Sequence, residues 1–122
     1  MQGQKLMALS YNEAAFVKLD RVMSHARDWG CKIIVPVLNQ DYGSEDTNYN
    51  GNYADLTRLY YGIEGDNAYN ESKVYDFWTD RALIDATKKL YTKLLTRKNS
   101  INGVVYGHDN TFLAIETGNE LK

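Results

Sequence analysis

Two short stretches of this chain combine side chains that do chemistry with a position that suits it. Gly118-Asn119-Glu120 follows the apolar run Phe112-Leu113-Ala114-Ile115, and Asn39 with Tyr42 follows Ile33 to Leu38. In parallel α/β folds, reacting groups gather beyond the C-terminal ends of strands, so these two places come first. A carboxylic acid at Glu120 can protonate a departing glycosidic oxygen, and a neighbouring carboxamide at Asn119 can hydrogen-bond a sugar hydroxyl. Retaining glycoside hydrolysis needs a second carboxylate about 5 Å from the first, and no third strand end here offers one. The other chemistries lack their residues. His25 and His108 belong to no group with metal-ligand spacing, so no metal and no cofactor are expected. A lone Cys31 cannot close an internal disulfide, and its place between Gly30 and an apolar strand predicts a buried, inert thiol.

The elements that must position these residues are legible from apolar spacing. Phe16, Leu19, Val22, Met23 and Ala26 recur at helical intervals, with Asn12 as N-cap and Gly30 as the left-handed stop. Residues 32–38 form an unbroken apolar run, the pattern of a parallel strand covered on both faces, with Pro36 removing one ladder donor. A short helix is predicted from Ala54 to Tyr60. Asp76 or Thr79 is expected to cap a longer one carrying Leu83, Ile84, Thr87, Leu90, Tyr91, Leu94 and Leu95 on one side. Its other side holds Lys88, Lys89, Lys93, Arg97 and Lys98, read as a solvated face rather than a nucleic-acid patch. Asn102-Gly103 makes a turn, residues 104–106 are expected to be extended, and Thr111 to Thr117 is the second strand. Two apolar strands joined through a helix imply a right-handed parallel unit, incomplete as a fold by itself.

Residues 41–76 form the one shift in composition, a loop crowded with Tyr, Asn, Gly and Asp. Tyr42, Tyr49, Tyr53, Tyr60, Tyr61, Tyr69 and Tyr75 lie in or beside it. Their rings can stack on pyranose faces or pack the loop onto its neighbours, and packing is the expected role for most of them. With 43% apolar and 25% charged residues the chain belongs to the globular class. A formal net charge of −2 argues against nucleic acid or an anionic membrane as partner. The apolar stretch Leu6 to Leu9 is too short for a signal peptide core or a membrane span. No linker or repeat divides residues 1–122 into more than one domain.

Several motifs together resemble one family. Tyr106-Gly107-His108-Asp109-Asn110-Thr111-Phe112-Leu113-Ala114-Ile115-Glu116-Thr117-Gly118-Asn119-Glu120-Leu121 is similar to the fourth-strand segment of the family 5 endo-β-mannanases among glycoside hydrolases. Asp109, Thr111, Ala114, Glu116, Asn119 and Glu120 match its pattern. Asp76-Phe77-Trp78-Thr79-Asp80 resembles the start of the preceding helix. Leu94-Leu95-Thr96-Arg97-Lys98-Asn99-Ser100-Ile101-Asn102-Gly103-Val104 resembles the segment between that helix and the strand. Val35-Pro36-Val37-Leu38-Asn39, with Asp41-Tyr42-Gly43, resembles the third strand and its loop. The matches run in order from about Asn12 to Leu121. Leu121, Asn110 and Ile115 depart from the family's Pro, Pro and Trp, and Gln40 with residues 44–53 departs in the loop that bears on substrate choice.

The resemblance implies an α/β fold that is part of a (β/α)8 TIM barrel, from about the second helix through the fourth strand. It implies Glu120 as general acid/base of a retaining endo-β-1,4-mannanase, with Asn119, Asn39 and Tyr42 on the substrate and the nucleophile outside the chain. The implied partner is a polysaccharide or oligosaccharide, without metal, cofactor, nucleic acid, membrane or protein partner. A secreted parent is expected, with which the acceptor tripeptide Asn70-Glu71-Ser72 agrees. An endo-β-1,4-glucanase is the alternative within the class. A non-catalytic sugar-binding fragment using the tyrosine-rich loop is the alternative outside it.

Overall fold

The computed structural model describes residues 10–38, 52–62 and 76–118. Its element order is α1 (Glu13–Asp28), β1 (Ile33–Pro36), α2 (Tyr53–Tyr61), α3 (Arg81–Thr96) and β2 (Phe112–Glu116), with single 3-10 turns at Asp76–Trp78 and Tyr106–His108. β1 and β2 pair in parallel. A parallel pair needs a crossover between its strands, and α3 in that crossover packs onto the same face as α1.

α1 begins where expected: the Asn12 side chain accepts from the Ala15 amide at 3.1 Å, and Gly30 leaves the helix at φ +69°. Its inward stripe is rotated from the one the apolar residues predict. Phe16, Leu19 and Met23 reach the core, but Val22 is 54% exposed while Asp20 and Ser24 are buried. Asp20 lies one turn from both Phe16 and Met23, and a set of polar partners draws that side of the helix inward.

The core joins Met23, Leu94 and Tyr106 to Ile33, Val35 and Val37 of the first strand region and to Phe112 and Ile115 of the second. The expectation of strands covered on both faces is corrected here. Among the described residues the opposite face is open: Ile34 is 54% exposed, Leu113 61%, and Pro36, Ala114 and Glu116 are exposed. The reason is directional, since both α1 and α3 approach from one side. Ile33 pairs with Phe112 and Ile34 with Ala114, which leaves Leu113 as an extra residue in β2.

A second cluster, Leu38 with Phe77 and Leu83, receives Tyr53, Leu56, Tyr60 and Tyr61. Tyr53 packs against the Phe77–Trp78 ring pair, at centroid distances of 5.6 and 5.8 Å. These three tyrosines therefore pack α2 onto α3, whereas Tyr42, Tyr49, Tyr69 and Tyr75 lie outside the described residues. The predicted cap of α3 also moves. Asp80, not Asp76 or Thr79, accepts from the Ala82 and Leu83 amides at 2.9 and 3.4 Å. Asp76 instead opens a 3-10 turn whose carbonyl accepts from Thr79 Oγ1 at 3.1 Å. Tyr61 donates its hydroxyl to the same Asp80 carboxylate, so α2 meets α3 at the cap.

Two other expectations are revised. Cys31 is exposed, because the short turn from Gly30 to β1 carries it outside the helix–strand interface. Residues 104–106 form no strand: Val105 makes one antiparallel bridge to Lys98 before the chain enters a 3-10 turn.

Candidate active site

The geometry is built from the N-terminal ends of the strands upward. There the loop after α3 is locked to α1 through Asp20, whose side chain is wholly buried. Arg97 grips it with Nε on Oδ1 at 2.9 Å and Nη2 on Oδ2 at 2.7 Å. The hydroxyls of Tyr106 and Ser100 each donate to it at 2.7 Å, and the Ser100 amide adds a bond of 3.2 Å. Burial disfavours the charged form, but the hydrogen bonds from Arg97, Tyr106 and Ser100 outweigh it and hold the carboxyl well below the usual carboxylate range. Burial first, then the bond to Asp20, pushes the Tyr106 phenol up.

Asn99 continues the lock. Its amide donates to the Asp20 carbonyl at 2.9 Å, and its oxygen accepts from the Ile101 and Asn102 amides at 2.8 and 3.3 Å. Arg97 and Lys93 also hold Glu13, at 2.7 and 2.8 Å. Of the five cations read as a solvated face, these two thus tie α3 to α1. A second tie comes from Arg27, whose Nη1 reaches Asp109 Oδ1 at 3.1 Å while that oxygen accepts from the Thr111 amide at 2.9 Å. Residues that carried the resemblance, namely Arg97, Asn99, Asp109 and Thr111, therefore set where β2 starts. Asp20 was missed as a structural anchor, although its helical spacing from Phe16 and Met23 was the signal.

At the opposite end the strands finish side by side. Val35 pairs with Ile115 and Pro36 with Glu116, and the Val37 amide donates to the Glu116 carbonyl at 3.2 Å. The chain thus leaves both strands at one edge of the sheet, just before Asn39 and Tyr42 on one side and Asn119 and Glu120 on the other. Those four residues themselves lie outside the described residues. Leu38 is only 4% exposed, so its burial against Phe77 and Leu83 anchors the exit from β1.

Glu116 is a strand-end carboxylate to which the sequence reading gave no role. It is exposed and pairs with Pro36 on the open face, to which Ile34 and Ala114 also belong. A cavity of about 350 Å³ lies on the helix side, lined by Val37, Leu38, Leu56, Leu59 and Leu90 with Asn52 and Asp55 as its polar members. So aliphatic a wall has few groups to bind sugar hydroxyls, which makes it a gap between helices rather than a saccharide cleft. Among the described residues, no group of three or more His, Cys, Asp or Glu side chains could hold a metal.

No family model matches the chain. It is 35% identical over 91% of its length to mannan endo-1,4-beta-mannosidase 1 of Oryza sativa subsp. japonica, and 31% identical over 90% to mannan endo-1,4-beta-mannosidase 2 of Arabidopsis thaliana. It spans only 23% of the length of each. A glycoside hydrolase family 5 mannosidase from Rhizomucor miehei superposes with a TM-score of 0.68 at 20% identity, covering 98% of this chain and 31% of that one. A mutant of that protein in complex with mannosyl-fructose superposes with a TM-score of 0.67 over 98% of this chain and 30% of that one. Similar in sequence to named mannan endo-1,4-beta-mannosidases and in fold to a family 5 mannosidase, the chain is an α/β segment with the fold of part of a family 5 glycoside hydrolase barrel.

Proposed function

We propose that this chain supplies the acid/base side of a retaining endo-β-1,4-mannanase, acting on mannan-type polysaccharides or their oligosaccharides. The observation that carries the reading is the register of the strand ends. Pro36 and Glu116 are paired, so the segments bearing Asn39 and Glu120 leave the sheet together at the edge where parallel barrels place their reacting groups. Similarity to several mannan endo-1,4-beta-mannosidases supports mannan as the polymer.

In the proposed mechanism Glu120, protonated, donates to the leaving glycosidic oxygen while a carboxylate from elsewhere in the barrel attacks the anomeric carbon. As carboxylate, Glu120 then takes a proton from the water that releases the glycosyl-enzyme. Asn119 and Asn39 hydrogen-bond the reacting sugar, and Tyr42 offers a stacking face and a hydroxyl. A polymer too large to cross a membrane places the parent enzyme outside the cell.

In a complete barrel carrying this sequence, Glu120→Gln is expected to lower turnover on substrates with poor leaving groups by at least about a hundredfold. Unchanged turnover would remove Glu120 from the mechanism. Parallel assays on mannan and cellulose test the substrate: a strong preference for cellulose would replace mannanase with glucanase.

A further inference from the structure

The Asp76–Trp78 turn does more than carry Phe77 into the second cluster. It leaves Trp78 46% exposed just before α3, with part of the ring held by other aromatics. Phe77 meets it edge-on at a centroid distance of 4.7 Å and Tyr53 at 5.8 Å, so the indole cannot turn away without losing both contacts. Beside it runs a groove of about 150 Å³ lined by Phe77, Trp78, Ile84, Thr87, Lys88 and Tyr91. The wall is largely apolar, but its polar groups are uncommitted. Lys88 reaches only Asp85, at 3.9 Å, with both side chains mostly exposed. On the same helix the hydroxyls of Thr92 and Thr96 donate to carbonyls one turn back, at 2.9 and 2.7 Å, whereas Thr87 Oγ1 is buried without a partner. A buried hydroxyl in that state is costly until something bonds it. Packing within the described residues gives neither the exposed indole nor the idle hydroxyl a stabilising role.

We propose that this groove is an accessory binding site for a β-linked pyranose polymer, in which one sugar ring stacks on Trp78 while its hydroxyls bond Lys88 and Thr87. The inference rests on the function proposed above, which supplies the polymer. The volume is small beside the roughly 300–1,000 Å³ of pockets that enclose a whole ligand, and it suits a single ring laid against a wall. An indole face matches the apolar side of such a ring, and a neutral, hydroxyl-rich ligand accepts hydrogen bonds from one ammonium without a countercharge. Thr87 takes part by a step about χ1, since threonine in a helix has two accessible rotamers. Position favours the same ligand. Phe77 lines the groove and also packs against Leu38, the last described residue before Asn39, so the groove lies beside the exit of β1. A long polymer held at the strand ends can occupy both places at once, which a short oligosaccharide cannot.

The test uses a complete barrel in which this chain replaces the matching stretch of the rice relative. Retention on insoluble β-1,4-mannan is measured in the cold, where turnover is slow, beside KM on soluble mannan and on mannotetraose. Trp78→Ala is expected to weaken retention and to raise KM on the polymer about fivefold each, the scale of one lost aromatic stacking contact. Its kcat, and its KM on mannotetraose, should stay within about twofold of wild type. Trp78→Phe is expected to recover part of the loss. If Trp78→Ala leaves retention and polymer KM at their wild-type values, or raises KM equally on polymer and mannotetraose, the inference falls. Should Trp78→Ala fail to fold, Thr87→Phe fills the groove with the indole intact. It is expected to give the same loss, and unchanged retention would overturn the proposal by showing that another part of the barrel is seated there. Glu120→Gln separates the two readings. A barrel whose turnover survives that change loses the function proposed above, while Trp78-dependent retention still upholds the groove. A barrel that loses turnover, yet binds mannan regardless of Trp78 and Thr87, keeps the function and loses the groove.

Discussion

At Asp20 the solvent around a carboxylate has been replaced by five donors from three residues: Arg97 twice, Ser100 twice and Tyr106 once. Such a group stabilises the fold only while every partner is present, because an unmatched member leaves a buried charge. Asp20→Asn is therefore expected to destabilise a complete barrel by about 3 kcal/mol, measured by chemical denaturation near neutral pH. A loss within a few tenths of a kcal/mol would mean that the partners rearrange. The pH dependence has a definite sign. Asp20 has a folded-state pKa depressed below its ordinary 3.8, so its contribution is fully present above that value and fades as the pH falls below it. The Asn variant should thus lose the part of acid lability that falls below about pH 4. This anchor was only half legible in the sequence. Arg97, Asn99 and Ser100 stood out within the segment resembling the mannanases, but their partner sits 77 residues away from Arg97 on a helix face that apolar spacing assigned to others.

The helices show where pattern succeeds and where local chemistry overrides it. α3 was plain from Leu83, Leu90 and Leu94, yet its start was misplaced because Asp80 follows the two expected caps, Asp76 and Thr79, within five residues and is of the same capping type. Asp80 wins since the Asp76–Trp78 turn folds Phe77 into the second cluster, which leaves Asp80 in extended geometry at φ −72° and ψ 116°. Asp80→Ala is expected to cost about 1–2 kcal/mol, the upper range for a lost N-cap, because it also strips Tyr61 of its acceptor. Thr79→Ala should cost no more than a few tenths. Equal losses from the two variants, in denaturation of the complete barrel, would return the cap to Thr79. The strands were legible as elements, but not in their covering. An unbroken apolar run is the same string whether helices, strands or solvent face its second side, and only the packing of α1 and α3 onto Ile33, Val35 and Ile115 shows which side is the helix side.

For the molecule as a whole, the parallel unit follows from two apolar runs and a crossover. The residues proposed for catalysis rest on another ground, their likeness to a known segment. Asn39, Tyr42, Asn119 and Glu120 lie outside the described residues, so the structure bears on them only through the strand ends that precede them. The same geometry has a consequence for the 122 residues taken alone. Ile34 and Leu113 are more than half exposed on a two-stranded sheet whose outer edges are also unpaired among the described residues. Apolar surface and free strand edges together favour association between chains. Prepared alone, the chain is expected to bind a hydrophobic dye, to sediment as assemblies larger than 14.0 kDa and to release no reducing ends from mannan. Ile34→Lys with Leu113→Lys should shift the sedimentation toward monomer by placing charges on that face, while Lys88→Glu with Lys89→Glu, which change charge on an exposed helix face, should leave it unchanged. A wild-type chain that sediments as a monomer and ignores the dye would mean that the open face does not drive association.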